Sequence, residues 1–318
     1  MLGESLLHIL ACPRDHTALR ASDGALVCQQ DHRFSTEQGV PIFTDHARRE
    51  PVPLNMPPCP QSAPDGTRSE AIDPFVNDWI VNTNGNLYWR VRGRLPRYPI
   101  PRWPFGDGEG KVLLDLGCSW GRWCIAAAGA GFQTIGLDVH VDALAAAARV
   151  SHQLNVDGNF VCSDVDALPV ASRSVDCVFS YSVMQHIDKT KARHAFHEIA
   201  RILKPRGRCI IQLPNTLGPL TFLQQLKRGF RDARPGTFEM RYWSRSEIWE
   251  SLREAGLSDI QFHTDGFFSQ NPQLSDLDLL TFGGKLIVVA SYAGRKTAET
   301  LPVLTRIADS LWIEAQAR

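Results

Sequence analysis

The stretch VLLDLGCSWGRW, residues 112–123, is the most informative part of the sequence. Five residues typical of a buried strand lead into a turn with glycine at positions 117 and 121. Glycine lets a backbone approach a ligand closely, and the helix after such a turn offers free N–H groups and partial positive charge. In open sheets of parallel strands, ligands bind at the carboxyl ends of the strands. The stretch therefore predicts a ligand site at the end of the first strand of such a sheet.

Further apolar runs predict the other strands of this sheet. They are TIGLDV, NFVCSDV, VDCVFSYS and RCIIQLP, and amphipathic segments separate them. Continuous apolar strands are buried on both faces, and the helices between them form the crossovers of a parallel sheet. The segment TKARHAFHEIARIL predicts one such helix, because its apolar residues recur at spacings of three and four. The predicted fold class is α/β.

Carboxylates at the ends of the next two predicted strands narrow the choice of ligand. Asp138 ends the second strand, where a carboxylate can accept both hydroxyls of a ribose. Asp164 ends the third strand, where a carboxylate can accept a hydrogen bond from an exocyclic amine such as that of adenine. Ser119 stands at the middle glycine position of a dinucleotide pattern, which disfavours a pyrophosphate. The pattern indicates an adenosine-containing ligand.

Residues 110–213 resemble the class I S-adenosylmethionine-dependent methyltransferases, in particular the branch that acts on small molecules. The resemblance implies a Rossmann-like seven-stranded sheet with a helical lid, S-adenosyl-L-methionine as cofactor, and methyl transfer as the activity. The cofactor-binding residues that it implies are Asp115, Gly117, Cys118, Gly121, Asp138, Val139, Asp164, Val165 and Ser180.

Two later segments resemble the end of the same sheet. Residues 242–263, YWSRSEIWESLREAGLSDIQFH, resemble the last helix before a terminal antiparallel hairpin. Residues 284–293, GKLIVVASYA, would complete that hairpin as a strand.

Methyl transfer from an activated donor depends largely on positioning of the acceptor. His186 follows the fourth predicted strand, and its ordinary pKa of about 6.5 suits a general base if the acceptor is a hydroxyl. Packing at the start of the next helix is the alternative. One of the rings of Tyr88, Trp89, Trp120 and Trp123 could face the cofactor's sulfonium, with core packing as the alternative for each. His140 is expected at the rim of the cofactor site.

Two segments are expected to cover the site, and both are basic. The first lid segment, residues 75–106, has five arginines against one aspartate, and the second, residues 214–243, is also rich in arginine. We expect an acceptor with phosphate or carboxylate, such as a nucleotide-linked sugar, a glycan intermediate or a lipid-linked precursor. A solvated arginine face is the alternative. The predicted substrate-binding residues are Tyr88, Arg92, Arg94 and Tyr242.

Residues 1–46, the N-terminal module, resemble the small zinc-ribbon-like domains of activator subunits of tRNA and protein methyltransferases. Residues 47–74 contain seven prolines and predict an extended linker to the methyltransferase domain at 75–318. In the module, an aspartate stands in place of the second cysteine of each usual Cys-x-x-Cys pair, and a histidine follows it. We expect degenerate ligands and no bound metal. The alternative is a zinc site made of Cys12, His16, Cys28 and His32, or one that includes Asp15 and Asp31.

Composition excludes several classes of partner. With 34 Lys+Arg and 34 Asp+Glu, the chain has no overall charge to attract nucleic acid or anionic membranes. No apolar run approaches a membrane span, and several of the eight cysteines lie in apolar runs typical of a reduced core. We expect a cytoplasmic enzyme with a small-molecule acceptor and no nucleic-acid partner.

Three alternatives to this function remain. They are a nucleotide-dependent oxidoreductase, a non-catalytic cofactor-binding scaffold, and an RNA or protein methyltransferase that uses the N-terminal module for recognition. The sequence SYSV after the fourth strand lacks an acceptor-amine motif of the NPPY type, which disfavours N-methylation of adenine or glutamine.

Overall fold

The computed structural model describes residues 7–49, 72–234, 236–268 and 273–318. The strands within these residues are β1 Leu19–Ser22, β2 Ala25–Cys28, β3 Arg33–Phe34, β4 Thr36–Glu37, β5 Val40–Pro41, β6 Val112–Leu116, β7 Gln133–Asp138, β8 Gly158–Cys162, β9 Val175–Tyr181, β10 Leu203–Pro214, β11 Leu257–Gly266 and β12 Ser310–Ala317. The helices are α1 Pro74–Asn84, α2 Arg122–Ala128, α3 Val141–Gln153, α4 Lys189–Ile202, α5 Pro219–Lys227, α6 Arg245–Glu254 and α7 Phe282–Thr300. Short 3₁₀ helices lie at Asn86–Val91, Met184–His186, Leu274–Leu279 and Pro302–Arg306.

A seven-stranded sheet forms the centre of the molecule. Its order is β11-β12-β10-β9-β6-β7-β8, in which β6 to β10 are parallel and β12 is antiparallel to both of its neighbours. Strand β6 pairs with β7 on one side and β9 on the other, so the strand order reverses at β6. Ligands of such sheets bind outside the carboxyl ends of the strands at this point. The predicted α/β, Rossmann-like fold class is confirmed.

Helix α4 shows how the sequence builds the layers on this sheet. Asp188 begins it by accepting a hydrogen bond from the backbone N–H of Thr190 at 2.9 Å. Ala192, Phe196 and Ile199 lie on one face and are fully buried. Because these residues recur at spacings of three and four, burial of one face also specifies the helix. The prediction of a helix here is confirmed.

The prediction of a strand at residues 284–293 is wrong. These residues lie within α7, which begins after Thr281, whose hydroxyl accepts a hydrogen bond from Gly284 N at 3.2 Å. The strand that completes the hairpin with β11 is β12. The run LIVV has a high strand propensity, but Gly284, Val288 and Ser291 are the residues that face the interior. Their helical spacing decides the structure, because burial outweighs local propensity.

The N-terminal module joins the edge of the central sheet. Strands β1 to β3 form an antiparallel sheet, and β4 pairs with β5. Ile42 then forms a parallel bridge to Cys162 of the edge strand β8, and Phe43 N donates to Cys162 O at 2.7 Å. Arg48 N donates to Val139 O at 2.7 Å. The start of the predicted linker is therefore bound to the central sheet; residues 50–71 lie outside the described residues.

Two further findings concern the described part of the chain. Its cysteines are all unpaired and buried, at positions 12, 28, 118, 124, 162, 177 and 209. Among the same residues, none of the helices has both the length and the apolar character needed to cross a bilayer.

Candidate functional site

A cavity of about 620 Å³ opens at the carboxyl ends of the parallel strands. Its floor is the turn Gly117–Trp120 after β6, and its walls include residues that follow β7, β8 and β9. Residues 46–48 of the N-terminal segment form part of the rim, and Trp79 and Thr83 of α1 lie on another side. The cavity lies where the strand order predicts a ligand site.

The glycine turn has a backbone that few other residues could adopt. Gly117 has a φ of +76° and Gly121 a φ of +80°, and Ser119 between them also lies in the left-handed region at +49°. A Cβ on Gly117 would lie 2.2 Å from Cγ2 of Val183, so the position has no space for a side chain. Gly121 does not line the cavity; a Cβ there would lie 3.1 Å from Phe160. Gly117 thus shapes the cavity and Gly121 allows close packing.

Asp138 is fixed at the centre of the cavity wall by two backbone groups. Its Oδ2 accepts a hydrogen bond from Ser119 N at 2.9 Å, and its Oδ1 accepts one from His140 N at 3.0 Å. Burial raises the pKa of this carboxyl above its usual value. Each oxygen keeps a further lone pair, so the carboxylate is suited to accept the two hydroxyls of a ribose.

Asp164 also lines the cavity, but it is already paired. Its Oδ2 accepts a hydrogen bond from Lys191 Nζ, and its Oδ1 accepts one from Val165 N at 2.9 Å. Lys191 Nζ also lies 3.5 Å from a carboxylate oxygen of Asp166. An adenine amine at this place would share the carboxylate with Lys191.

Besides Gly121, two further predicted cofactor residues, Asp115 and Ser180, do not line the cavity. Asp115 is buried beneath the turn, where its Oδ2 accepts a hydrogen bond from the thiol of Cys124 at 3.4 Å, and burial raises its pKa to about 7. The Ser180 hydroxyl donates to Leu116 O at 3.3 Å inside the sheet. Strand periodicity locates these residues near the site but does not show which way each side chain points.

The predicted arginines of the first lid segment lie outside the cavity. Arg92 Nε donates to Asp78 O at 3.0 Å, and Arg94 Nε donates to Arg90 O at 2.8 Å. Their place beside the helix Asn86–Val91 agrees with the alternative of a solvated arginine face.

The two predicted tyrosines are also engaged elsewhere. The hydroxyl of Tyr88 donates to Asp276 at 2.5 Å in a buried contact, and that of Tyr242 donates to Gln224 at 3.2 Å. Neither ring lines the cavity.

His186 lies in the cavity wall and is neutral at physiological pH. Its ring stacks on Phe238 with 4.1 Å between centroids, and its Nδ1 lies 3.2 Å from Phe238 O. Burial, together with the nearby guanidinium of Arg241, lowers its pKa to about 4. Nδ1–H therefore donates to the carbonyl, which leaves Nε2 as the acceptor. A base of this pKa is weaker than the sequence suggests.

Sequence reasoning missed several residues of the cavity wall, among them Trp79, Thr83, Lys191 and the cation Arg122. Arg122, the first residue of α2, is only 6% exposed. Its guanidinium lies over the ring of Tyr181 at 5.4 Å and over that of Trp123 at 5.8 Å. The sequence feature that could have indicated Arg122 is its position directly after Gly121, at the start of the helix that follows the glycine turn.

The N-terminal module brings together four side chains of metal-ligating types. One ligand atom from each of Cys12, Asp15, Cys28 and His32 lies within 4.8 Å of the others. His32 Nδ1 is 3.4 Å from each cysteine sulfur and 3.1 Å from Asp15 Oδ2. Among the described residues, neither His16 nor Asp31 is part of this group.

A family model of known proteins matches the part of the chain that contains the glycine turn and the neighbouring strand ends. Residues 113–207 match the family model described as "Methyltransferase domain". The match covers the glycine turn, both carboxylate strand ends and His186. It confirms the prediction of a methyltransferase that uses S-adenosylmethionine, and the bounds 75–318 of the domain stay a prediction.

The curated relatives match about half of this chain. The biotin biosynthesis bifunctional protein BioHC of Cellvibrio japonicus is 33% identical over 150 residues, which are 47% of this chain and 28% of that protein. A malonyl-[acyl-carrier protein] O-methyltransferase of Methylovorus sp. is 32% identical over 156 residues, which are 46% of this chain and 50% of that protein. The chain thus spans half or less of these relatives.

Solved structures of low identity also match. The magnesium protoporphyrin IX methyltransferase of Synechocystis PCC 6803, solved with bound SAH, has a TM-score of 0.45 and 19% identity, over 66% of this chain and 75% of that one.

Replacement of Gly117 by alanine should weaken cofactor binding. The added Cβ would overlap Val183 and strain a left-handed backbone, a strain of about 1–2 kcal/mol that corresponds to roughly a tenfold loss of affinity or more. Calorimetric titration with S-adenosylhomocysteine measures it. Gly129→Ala in the same helical region is the control, since its φ is −61° and the nearest atom to a Cβ lies at 3.4 Å. Equal affinities for Gly117→Ala and the wild type would contradict this account.

The His186 ring should stay neutral between pH 5 and 8. Because burial lowers its pKa to about 4, the neutral ring gains a proton only as pH falls through that value. An NMR titration of the histidine ring signals, assigned with His186→Asn, checks this. A midpoint near 6.5 would show that the ring is solvated and that the stacked arrangement is wrong.

Proposed function

We propose that this protein transfers a methyl group from S-adenosyl-L-methionine to a small acceptor that carries a carboxylate or phosphate. The observation that carries the proposal is the Asp138 carboxylate, held by two backbone N–H groups beside a glycine turn that admits no Cβ. This arrangement offers paired acceptors to a ribose and no pyrophosphate cradle.

The cavity fits the cofactor in size and in the chemistry of its walls. About 620 Å³ is within the range of roughly 300–1,000 Å³ typical of small-molecule sites. Asp138 is suited to the ribose, Asp164 and Val165 to the adenine, and the backbone of Gly117–Trp120 to the amino-acid end. The cofactor supplies an activated methyl group, so the residues of this chain have to bind, orient and exclude water.

The proposal for the acceptor concerns its negative charge. The nucleotide-linked sugars, glycan intermediates and lipid-linked precursors expected from the sequence all carry anionic groups. The relatives named malonyl-[acyl-carrier protein] O-methyltransferases act on a carboxylate-bearing acceptor. Since Arg92 and Arg94 are engaged outside the cavity, the support for an anionic acceptor comes from the cations that line it.

We also infer that the N-terminal module holds a zinc ion, against the expectation from its sequence. Four of the six ligand-atom separations are 3.1–3.4 Å, close to the edges of about 3.3–3.8 Å of a tetrahedral zinc site, and all six are within 4.8 Å. Two thiols, one imidazole and one carboxylate are all zinc donors. Gln30 N also donates to Cys28 Sγ at 3.3 Å, which favours a thiolate there. Four protein ligands close the coordination sphere, as in structural sites.

This ion would support the cofactor cavity. The module continues through Ile42 and Phe43, which pair with Cys162, into residues 46–48 at the cavity rim. A module that unfolds without metal would therefore remove one part of the rim. The same contacts give the module a structural role without invoking recognition of RNA or protein.

The Asp138 carboxylate should control cofactor affinity. Asp138→Ala removes charge-assisted hydrogen bonds of about 1.5–3 kcal/mol, or roughly 10- to 150-fold in the affinity for S-adenosylhomocysteine. Asp142→Ala removes the same charge from α3 outside the cavity and should bind like the wild type. Transfer of labelled methyl from S-adenosylmethionine to carboxylate and phosphate acceptors then tests catalysis. Tight binding without turnover on any acceptor would favour the scaffold alternative, and binding of NAD(H) in its place would favour the oxidoreductase.

The purified protein should contain about one zinc per chain by elemental analysis. Cys12→Ser and Cys28→Ser should lose the ion and lower the melting temperature, and their affinity for S-adenosylhomocysteine should fall. His16→Ala and Asp31→Ala should keep the ion, because neither residue belongs to the ligand group. Loss of zinc in the His16 variant would select the other ligand set, and no zinc in the wild type would restore the expectation from the sequence.

A further inference from the structure

Arg122 is a buried cation in the cavity wall that lacks a partner within the described residues. Its side chain is 6% exposed and lines the cavity. Throughout 7–49, 72–234, 236–268 and 273–318, no oxygen accepts a hydrogen bond from its guanidinium. The guanidinium lies over the rings of Tyr181 and Trp123, at 5.4 and 5.8 Å, which attract a cation.

The carboxylates around Arg122 are already occupied. Asp115 lies beneath the turn with the Cys124 thiol. Asp276 accepts from the Tyr88 hydroxyl at 2.5 Å and from Arg97 Nη1 at 3.2 Å. A buried charge without a partner is strongly unfavourable, and burial lowers the pKa of Arg122. An anion bound in the cavity next to the Arg122 guanidinium would therefore stabilise this buried charge.

The other basic side chains of the cavity differ from Arg122. Lys191 is neutralised by Asp164 and Asp166, and Arg48 is exposed at the rim. Arg122 therefore combines burial, charge and access to the cavity. Its planar guanidinium can bind both oxygens of a carboxylate at once.

We propose that Arg122 binds a carboxylate within the cavity and is its specificity-determining cation. The inference rests on the proposed function and goes beyond it by naming the residue that binds the ligand's negatively charged group. Two ligands offer that group, namely the amino-acid end of the cofactor and an acceptor with a carboxylate. The position of Arg122 favours the cofactor. Leu116 pairs with Ser180, so the next residue of each strand, Gly117 and Tyr181, lies at the same level of the sheet. The Arg122 guanidinium lies over the Tyr181 ring and therefore close to the glycine turn.

Two ligands, one with and one without the amino-acid end, test the proposal. S-adenosylhomocysteine carries the amino-acid carboxylate, whereas 5′-deoxy-5′-methylthioadenosine keeps the nucleoside and the sulfur without it. We expect Arg122→Met to weaken S-adenosylhomocysteine roughly 10- to 100-fold by calorimetry and to leave methylthioadenosine unchanged. Arg92→Met, a lid arginine outside the cavity, is the matched control and should bind both ligands like the wild type.

The acceptor arm uses malonate as a carboxylate probe on the protein loaded with S-adenosylhomocysteine. If Arg122 holds the acceptor, the Arg122→Met variant keeps its affinity for S-adenosylhomocysteine and loses the malonate binding that the wild type shows. Unchanged binding of both S-adenosylhomocysteine and malonate, or no malonate binding by the wild type together with unchanged cofactor affinity in the variant, overturns the proposal.

Thermal melting of the ligand-free protein separates binding from a structural role. Removal of an unpaired buried charge should leave the melting temperature of Arg122→Met equal to that of the wild type or raise it. A lower melting temperature together with weaker methylthioadenosine binding would assign Arg122 to the structure and overturn the proposal. A wild-type protein that binds neither nucleoside ligand would instead refute the proposed function.

Discussion

The Asp138 carboxylate, which joins the turn after β6 to the end of β7, is the constraint on which the site depends. Its two oxygens accept hydrogen bonds from Ser119 N and His140 N, so one side chain fixes two strand ends. Ser119 lies in the left-handed region, and this bond compensates for part of that strain. The turn, the mouth of the cavity and the start of α3 follow from the same carboxylate.

The N-terminal module and this carboxylate meet at the same sheet edge. Arg48 N donates to Val139 O, one residue after Asp138, and Val141 N donates to Arg48 O at 3.0 Å. A proline-rich stretch lies between these partners in the sequence, and no periodicity links them. The sequence therefore suggests a separate module. In the structure, backbone hydrogen bonds between Arg48 and the residues after β7 make residues 46–48 part of the cavity rim.

The sequence predicted the parts of the fold that depend on burial and failed where side-chain direction decides. Apolar runs identify β6 to β10, and Asp138, Asp164 and His186 reach the cavity because strand ends share one edge. Asp115 does not line the cavity. The positive charge of the first lid segment also did not reveal that Arg92 donates a hydrogen bond to Asp78 within the same segment. The cluster of Cys12, Asp15, Cys28 and His32 shows the same limit, because the spacing of residues in the sequence could not choose between Asp15 and His16 as its member.

A crystal structure of the protein with S-adenosylhomocysteine would test the central claim most directly. The measurement is the distance from each ribose hydroxyl oxygen to the nearest Asp138 carboxylate oxygen. The account predicts two distances of about 2.5–3.0 Å, with the adenine beside Asp164 and Val165. A ribose beyond hydrogen-bond distance of Asp138, or a ligand bound outside this cavity, would contradict it.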